Sequence, residues 1–141
     1  MKRIILILCF FLFVQIGFSQ SDINDTSIYD YVEVMPQFMG GESELNQFLF
    51  SNYKTKDVNC YVTYIILNFV IEKDGSITNK IVEIEDNYIH ILENEVFAEC
   101  RQAWIDSSMQ LLNQMPNWKP GMQNGKLVRV RYRIPVHLDY K

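Results

Sequence analysis

The sequence predicts a small α+β domain, and three observations carry that reading. Leu45, Phe48 and Leu49 fall at i, i+3 and i+4, the stripe of a core-facing helix. Two runs rich in β-branched residues flank Asp74-Gly75, a dipeptide that tolerates the positive φ of a hairpin turn. A final run alternates Val128, Val130, Tyr132, Ile134 and Val136 with polar side chains. At 141 residues, 48% hydrophobic and 21% charged, the chain has room for one core and not for several domains. Its 13% aromatic content also opposes a disordered chain.

The first element is not part of the fold. Lys2-Arg3 precede an unbroken apolar run from Ile4 to Val14, and small or polar Gly17, Ser19 and Gln20 follow. This is the pattern of a secretory signal, residues 1–19, cleaved after Ser19. The apolar segment is shorter than the roughly 20 residues a spanning helix needs, and it contains Gln15. Loss of Lys2 and Arg3 leaves 11 basic against 17 acidic residues. Such an acidic protein is a poor partner for nucleic acid or anionic lipid, both of which reward clustered Lys and Arg. The mature chain is expected outside the cytoplasm, in an oxidising compartment.

Residues 20–31 are polar and acidic, with Asp22, Asp25 and Asp30, and read as a flexible leader. The folded domain is expected over 32–141. It begins with an extended piece from Val32 to Met39 that ends in Gly40-Gly41. The first helix follows, with Glu42 and Glu44 placed where the helix dipole favours negative charge. Tyr61 to Ile71 is the first long strand. Ile65, Leu67, Phe69 and Ile71 share one of its faces and Tyr64, Ile66, Asn68 and Val70 the other, so both faces are partly apolar and the strand is expected to be central. Ser76 to Ile84 returns as its hairpin partner.

From Asp86 to Met115 the pattern is helical, and the cap-type side chains of Asp106-Ser107-Ser108 suggest a break into two helices. Met109, Leu112 and Met115 form a core stripe before Pro116. The last strand follows the Asn124-Gly125 turn. Arg129, Arg131 and Arg133 form a basic ladder opposite its apolar face, and Pro135, which lacks a backbone donor, marks the strand as an edge. An open edge is a template for an incoming peptide strand. A solvated strand face is the plainer reading of the same ladder.

The inventory for chemistry is poor. His90 and His137 sit in no metal-ligand spacing, Gly-rich phosphate loops are absent, and no metal or cofactor is expected. Glu83, Glu85 and Asp86 read as solvated acidic residues at a strand end rather than an acid–base pair. Cys60 and Cys100 are an even pair in an exported chain. They form either a disulfide, which would close a loop of about 40 residues and contribute on the order of 3 to 4 kcal/mol, or two separately buried thiols. An enzyme is therefore not the expected function.

Two stretches together resemble a known family. The run Met35-Pro36-Gln37-Phe38-Met39-Gly40-Gly41 with Leu45, Phe48, Leu49 and Asn52, and the run Met115-Pro116-Asn117-Trp118-Lys119-Pro120-Gly121-Met122-Gln123-Asn124-Gly125-Lys126 with Val128, Val130, Tyr132, Pro135 and Val136, are similar to the C-terminal domain of TonB-family proteins. Val70 to Ile77 is similar to that family's hairpin, and the likeness spans roughly Val32 to Leu138. It implies a periplasmic domain with a three-stranded, mainly antiparallel sheet and helices packed on one face. It further implies that the last strand receives the TonB-box peptide of an outer-membrane receptor, or another envelope protein, by β-strand addition. The implied peptide-binding residues are Val128, Arg129, Val130, Arg131, Tyr132, Arg133 and Ile134, with the three arginines tuning peptide choice.

The chain departs from the pattern in several places. Full-length TonB energisers carry a membrane anchor coupled to a proton-driven motor and a long Pro-rich linker, and this sequence reads without either. Residues 86–106 are longer than the family's usual link, Ser108 stands where Ala is typical, and no Pro follows Tyr53. A second expectation, of a different class, is an accessory envelope protein whose edge pairs with a second copy, giving a homodimer, or with its own leader from Ser27 to Val34.

Overall fold

The computed structural model describes residues 26–53, 64–85 and 95–137. These residues form an α+β unit with two helices and a five-stranded mixed sheet. In chain order the elements are β1 (Ile28–Tyr29), α1 (Glu42–Asn52), β2 (Tyr64–Ile71), β3 (Ile77–Glu85), α2 (Glu95–Gln114), β4 (Gly121–Gln123) and β5 (Lys126–His137). The order across the sheet is β1-β5-β2-β3, with β4 also paired to β5.

β2 is central, as its two apolar faces require. It pairs antiparallel with β3 from Tyr64↔Glu85 to Ile71↔Ile77, and antiparallel with β5 from Tyr64↔His137 to Ile71↔Val130. Ile65, Leu67, Phe69 and Ile71 face a core built with Phe38, Leu45 of α1, Trp104, Leu111 and Leu112 of α2, Trp118, and Ile134 of β5. Both helices thus contribute to one core against one face of β2. Trp118 ties the parts together: its ring stands edge-on to Phe38 at 5.4 Å and packs on Tyr132 at 4.8 Å.

The hairpin between β2 and β3 is wider than a two-residue turn. Glu72 N–H donates to Ser76 C=O at 2.8 Å and Gly75 N–H to Glu72 C=O at 3.0 Å, while Asp74 Oδ1 accepts from the Ser76 N–H and hydroxyl. Gly75 carries the positive φ, 84°. The β4–β5 turn is the tight one, with Asn124 (φ 50°) and Gly125 (φ 72°) between the paired Gln123 and Lys126. Positive φ at both central residues is the signature of the hairpin-favouring turn that Asn-Gly supplies.

Three expectations are corrected. The sheet has five strands rather than three, because Ile28–Tyr29 and Gly121–Gln123 both add to β5. Ile28 and Tyr29, in the stretch expected to be a flexible leader, therefore form a strand on β5. The break at Asp106-Ser107-Ser108 does not occur, and α2 runs unbroken for 20 residues. These side chains find partners other than a helix end: Ser108 is fully buried and its Oγ lies 2.8 Å from the Tyr53 hydroxyl, while Asp106 Oδ1 accepts from Gln102 Nε2 one turn back. Cys100 is buried in the core and is disulfide-bonded. Cys60 lies outside the described residues, as do His90, Asp86 and the segment read as a secretory signal. No described helix is long and apolar enough to cross a membrane.

Candidate peptide-binding edge

β5 is held differently along its length. Lys126 to Val128 pair with β4, Arg129 and Val130 pair in parallel with Ile28 and Tyr29 of β1, and Val130 to His137 pair with β2. From Arg131 to His137 the strand has a partner on the β2 side alone among the described residues. Pro135 fixes which groups that free side presents. It is paired opposite Ile66 yet has no N–H to give, so its position is one whose backbone polar groups point away from β2. By alternation the peptide groups of Arg131, Arg133 and His137 point the same way. Those of Tyr132, Ile134 and Val136 belong to the ladder with β2.

The residues expected to bind peptide therefore divide. Val128, Arg129 and Val130 already have strand neighbours on β4 or β1, and Val128 and Val130 are buried. Arg131, Tyr132, Arg133 and Ile134 lie on the open length, with Ile134 buried in the core and Tyr132 packed on Trp118.

Each arginine of the ladder has a carboxylate. Arg129 donates from Nε and Nη2 to the two oxygens of Glu72 at 2.7 and 2.8 Å, and from Nη1 to the Thr26 carbonyl at 2.9 Å. The Arg129 guanidinium holds the Glu72 carboxyl below its ordinary range against the opposing pull of burial, and Thr78 Oγ1 donates to the same carboxylate. Arg131 meets Asp30 at 2.7 Å and Arg133 meets Glu83 at 3.2 Å, both pairs about half exposed. Glu83 also accepts from the buried Asn68 amide at 2.6 Å. The ladder is thus charge-compensated, firmly at Arg129 and loosely at Arg131 and Arg133.

Two open grooves flank the free length and share Tyr132 and Arg133. One, about 580 Å³, is bounded by Asp30, Tyr31, Met35 and Arg131. The other, about 460 Å³, has an apolar floor of Pro36, Phe38, Leu45, Trp118, Ile134 and Pro135. The indole Nε1 of Trp118 is buried there with no acceptor among the described residues. Tyr31 is 87% exposed although it is large and partly apolar. Asp30 and Tyr31 belong to the site by position alone, in a stretch that reads as leader, whereas Met35 opens one of the two runs that carry the family resemblance. No cluster of three or more His, Cys, Asp or Glu side chains suited to a metal occurs among the described residues. Comparison with protein-family models, with curated proteins and with solved structures finds no match to this chain.

Proposed function

We propose that this protein is a TonB-like periplasmic binding module, without chemistry of its own, that receives an extended segment of an envelope protein by strand addition to β5. The observation that carries the reading is the length Arg131–His137, whose outward peptide groups face no strand among the described residues and are flanked by two grooves able to take alternate side chains. In such complexes main-chain hydrogen bonds supply affinity and pockets for alternate side chains supply selection. The resemblance of Met35–Gly41 and Met115–Lys126 to the TonB C-terminal domain names the partner class, the N-terminal peptide of an outer-membrane transporter. The signal-like start of the chain supports export, and the same resemblance gives the periplasm as the compartment.

The test is an NMR titration of the isotope-labelled protein with synthetic peptides copying the N-terminal segments of outer-membrane receptors from the same cell. Amide shifts concentrated between Arg131 and His137 are the expected result. Absence of shifts at millimolar peptide, or shifts spread over α1 and α2, overturns it. Sedimentation separates the accessory reading, in which a concentration-dependent dimer forms through the same edge and the peptides do not bind.

A further inference from the structure

We propose that β1 holds the place of the ligand, and that the segment β5 receives runs parallel to it, with an apolar residue two positions before an Asp or Glu that takes Arg131 from Asp30. This rests on the strand-addition reading above and specifies both the ligand and what must leave before it binds in full. Among the described residues β1 is the one strand on the outer side of β5, and it ends where the free length begins. Ile28 is level with Arg129 and Tyr29 with Val130, in parallel, and the chain then turns away at Asp30. A parallel ligand lying along Arg131–His137 and extending toward its own N-terminus meets β1 directly, so the two compete for Arg129 and Val130.

The contacts of β1 say what the edge selects. Arg129 is fixed by Glu72, and its guanidinium donates to a main-chain carbonyl of the leader, that of Thr26, which any extended segment offers. Arg131 takes a side chain, the Asp30 carboxylate at 2.7 Å, through a pair exposed on both members and so open to exchange with another carboxylate. Ile28 lines a hollow with Val70, Ile81 and Arg131 on the sheet face away from the helices. An apolar residue, any residue and then an acid is therefore the pattern the unliganded chain supplies to itself. β1 is suited to be displaced: it is two residues long, its side chains are only partly buried, and Tyr31 just beyond it is almost fully exposed.

The experiment compares the full chain with its Asp30→Lys variant, which places a cation against Arg131. The probes are an acetylated, amidated peptide copying residues 26–31 and the same peptide with Lys at the position of Asp30. In the variant the amide of Arg129, which faces β1, is expected to exchange faster, while the amide of Val130, which belongs to the ladder with β2, and the β2–β3 ladder stay protected. The acidic peptide is expected to bind the variant about tenfold more tightly than the parent, and the Lys peptide to bind neither. Ile28→Asp, which spoils β1 by a different route, is expected to give the same gain. Equal affinity for parent and both variants means that β1 does not occupy the ligand's place, and equal affinity of the two peptides means that no carboxylate is read; either overturns the proposal. If receptor peptides shift Arg131–His137 while the leader peptide binds neither form, this proposal falls and strand addition stands. If no peptide of either kind binds, both fall.

Discussion

Glu72, just past the end of β2, grips Arg129 of β5 through both carboxylate oxygens, at 2.7 and 2.8 Å. The pair closes the end of the ladder where β1 docks. Its first consequence is a dependence of stability on pH. Glu72 titrates below its ordinary value of 4.5 in the folded protein, chiefly because Arg129 donates to it. A carboxylate whose folded pKa is depressed contributes fully above its unfolded pKa and loses that contribution as pH falls through the folded value. Glu72→Gln is therefore expected to lower stability at neutral pH, and the gap from the parent is expected to narrow at pH well below 4.5. Urea unfolding at the two pH values measures it. A gap that stays constant with pH would mean the side chain matters for packing and not for charge.

A second expectation concerns the hydroxyl pair of Tyr53 and Ser108, 2.8 Å apart. Ser108 is fully buried, so Tyr53→Phe takes from its Oγ the hydroxyl it meets, in a place water does not reach. The cost is expected at roughly 1 to 3 kcal/mol. Ser108→Ala in the Tyr53→Phe background is expected to cost less than Ser108→Ala alone, because the partner is already gone. A double-mutant cycle by chemical denaturation gives the coupling, and additive costs would show that the two hydroxyls act independently.

These two residues also show how much was legible beforehand. The absence of Pro after Tyr53 and the Ser at 108 each stood out alone as departures from the TonB pattern, but their contact spans 55 positions and no local periodicity joins them. The central strand, the hairpin and the Asn124-Gly125 turn were readable because alternation and turn chemistry are local. β1 was not, since Ile28 and Tyr29 are two residues whose extended form is decided by the ladder of β5. The arginine ladder was visible, while its neutralisation was hidden: the carboxylates come from 57, 101 and 50 positions away. Pro135 marks β5 as an edge; among the described residues its second half is one, and its first half carries β1.

Gly75 gives a third expectation. Its φ is +84°, and a Cβ placed there would lie 2.1 Å from the Trp118 carbonyl oxygen, whose own amide donates back to the Gly75 carbonyl at 2.8 Å. Left-handed backbone costs a residue with a Cβ about 1 to 2 kcal/mol, and backbone offers no soft atom to move aside. Gly75→Ala is expected to destabilise by more than that strain alone, at least about 2 kcal/mol, and to loosen the link between the hairpin and the Trp118 segment. Thermal unfolding reads the loss, and a shift in Trp fluorescence reads the loosening. An unchanged melting temperature would show that the turn adapts.

The open edge makes a demand that neighbouring residues answer differently. Arg133 is in phase with Pro135, so its peptide N–H is directed away from β2, and Arg133→Pro removes a donor from the free side and leaves the β2–β5 ladder intact. Tyr132 is one residue out of phase, so Tyr132→Pro removes a ladder bond to β2 and displaces a ring that packs at 4.8 Å on Trp118. The expected outcome is a split. Arg133→Pro keeps the fold, to within the small cost of its exposed pair with Glu83, and weakens peptide binding. Tyr132→Pro lowers stability by about 3 kcal/mol or more. Because Arg133→Pro removes a guanidinium as well as an amide hydrogen, Arg133→Ala is the control: it keeps the donor and loses the charge. Binding lost with Pro and kept with Ala assigns affinity to the main chain, as strand addition requires. Equal losses in the two variants would assign it to the side chain instead.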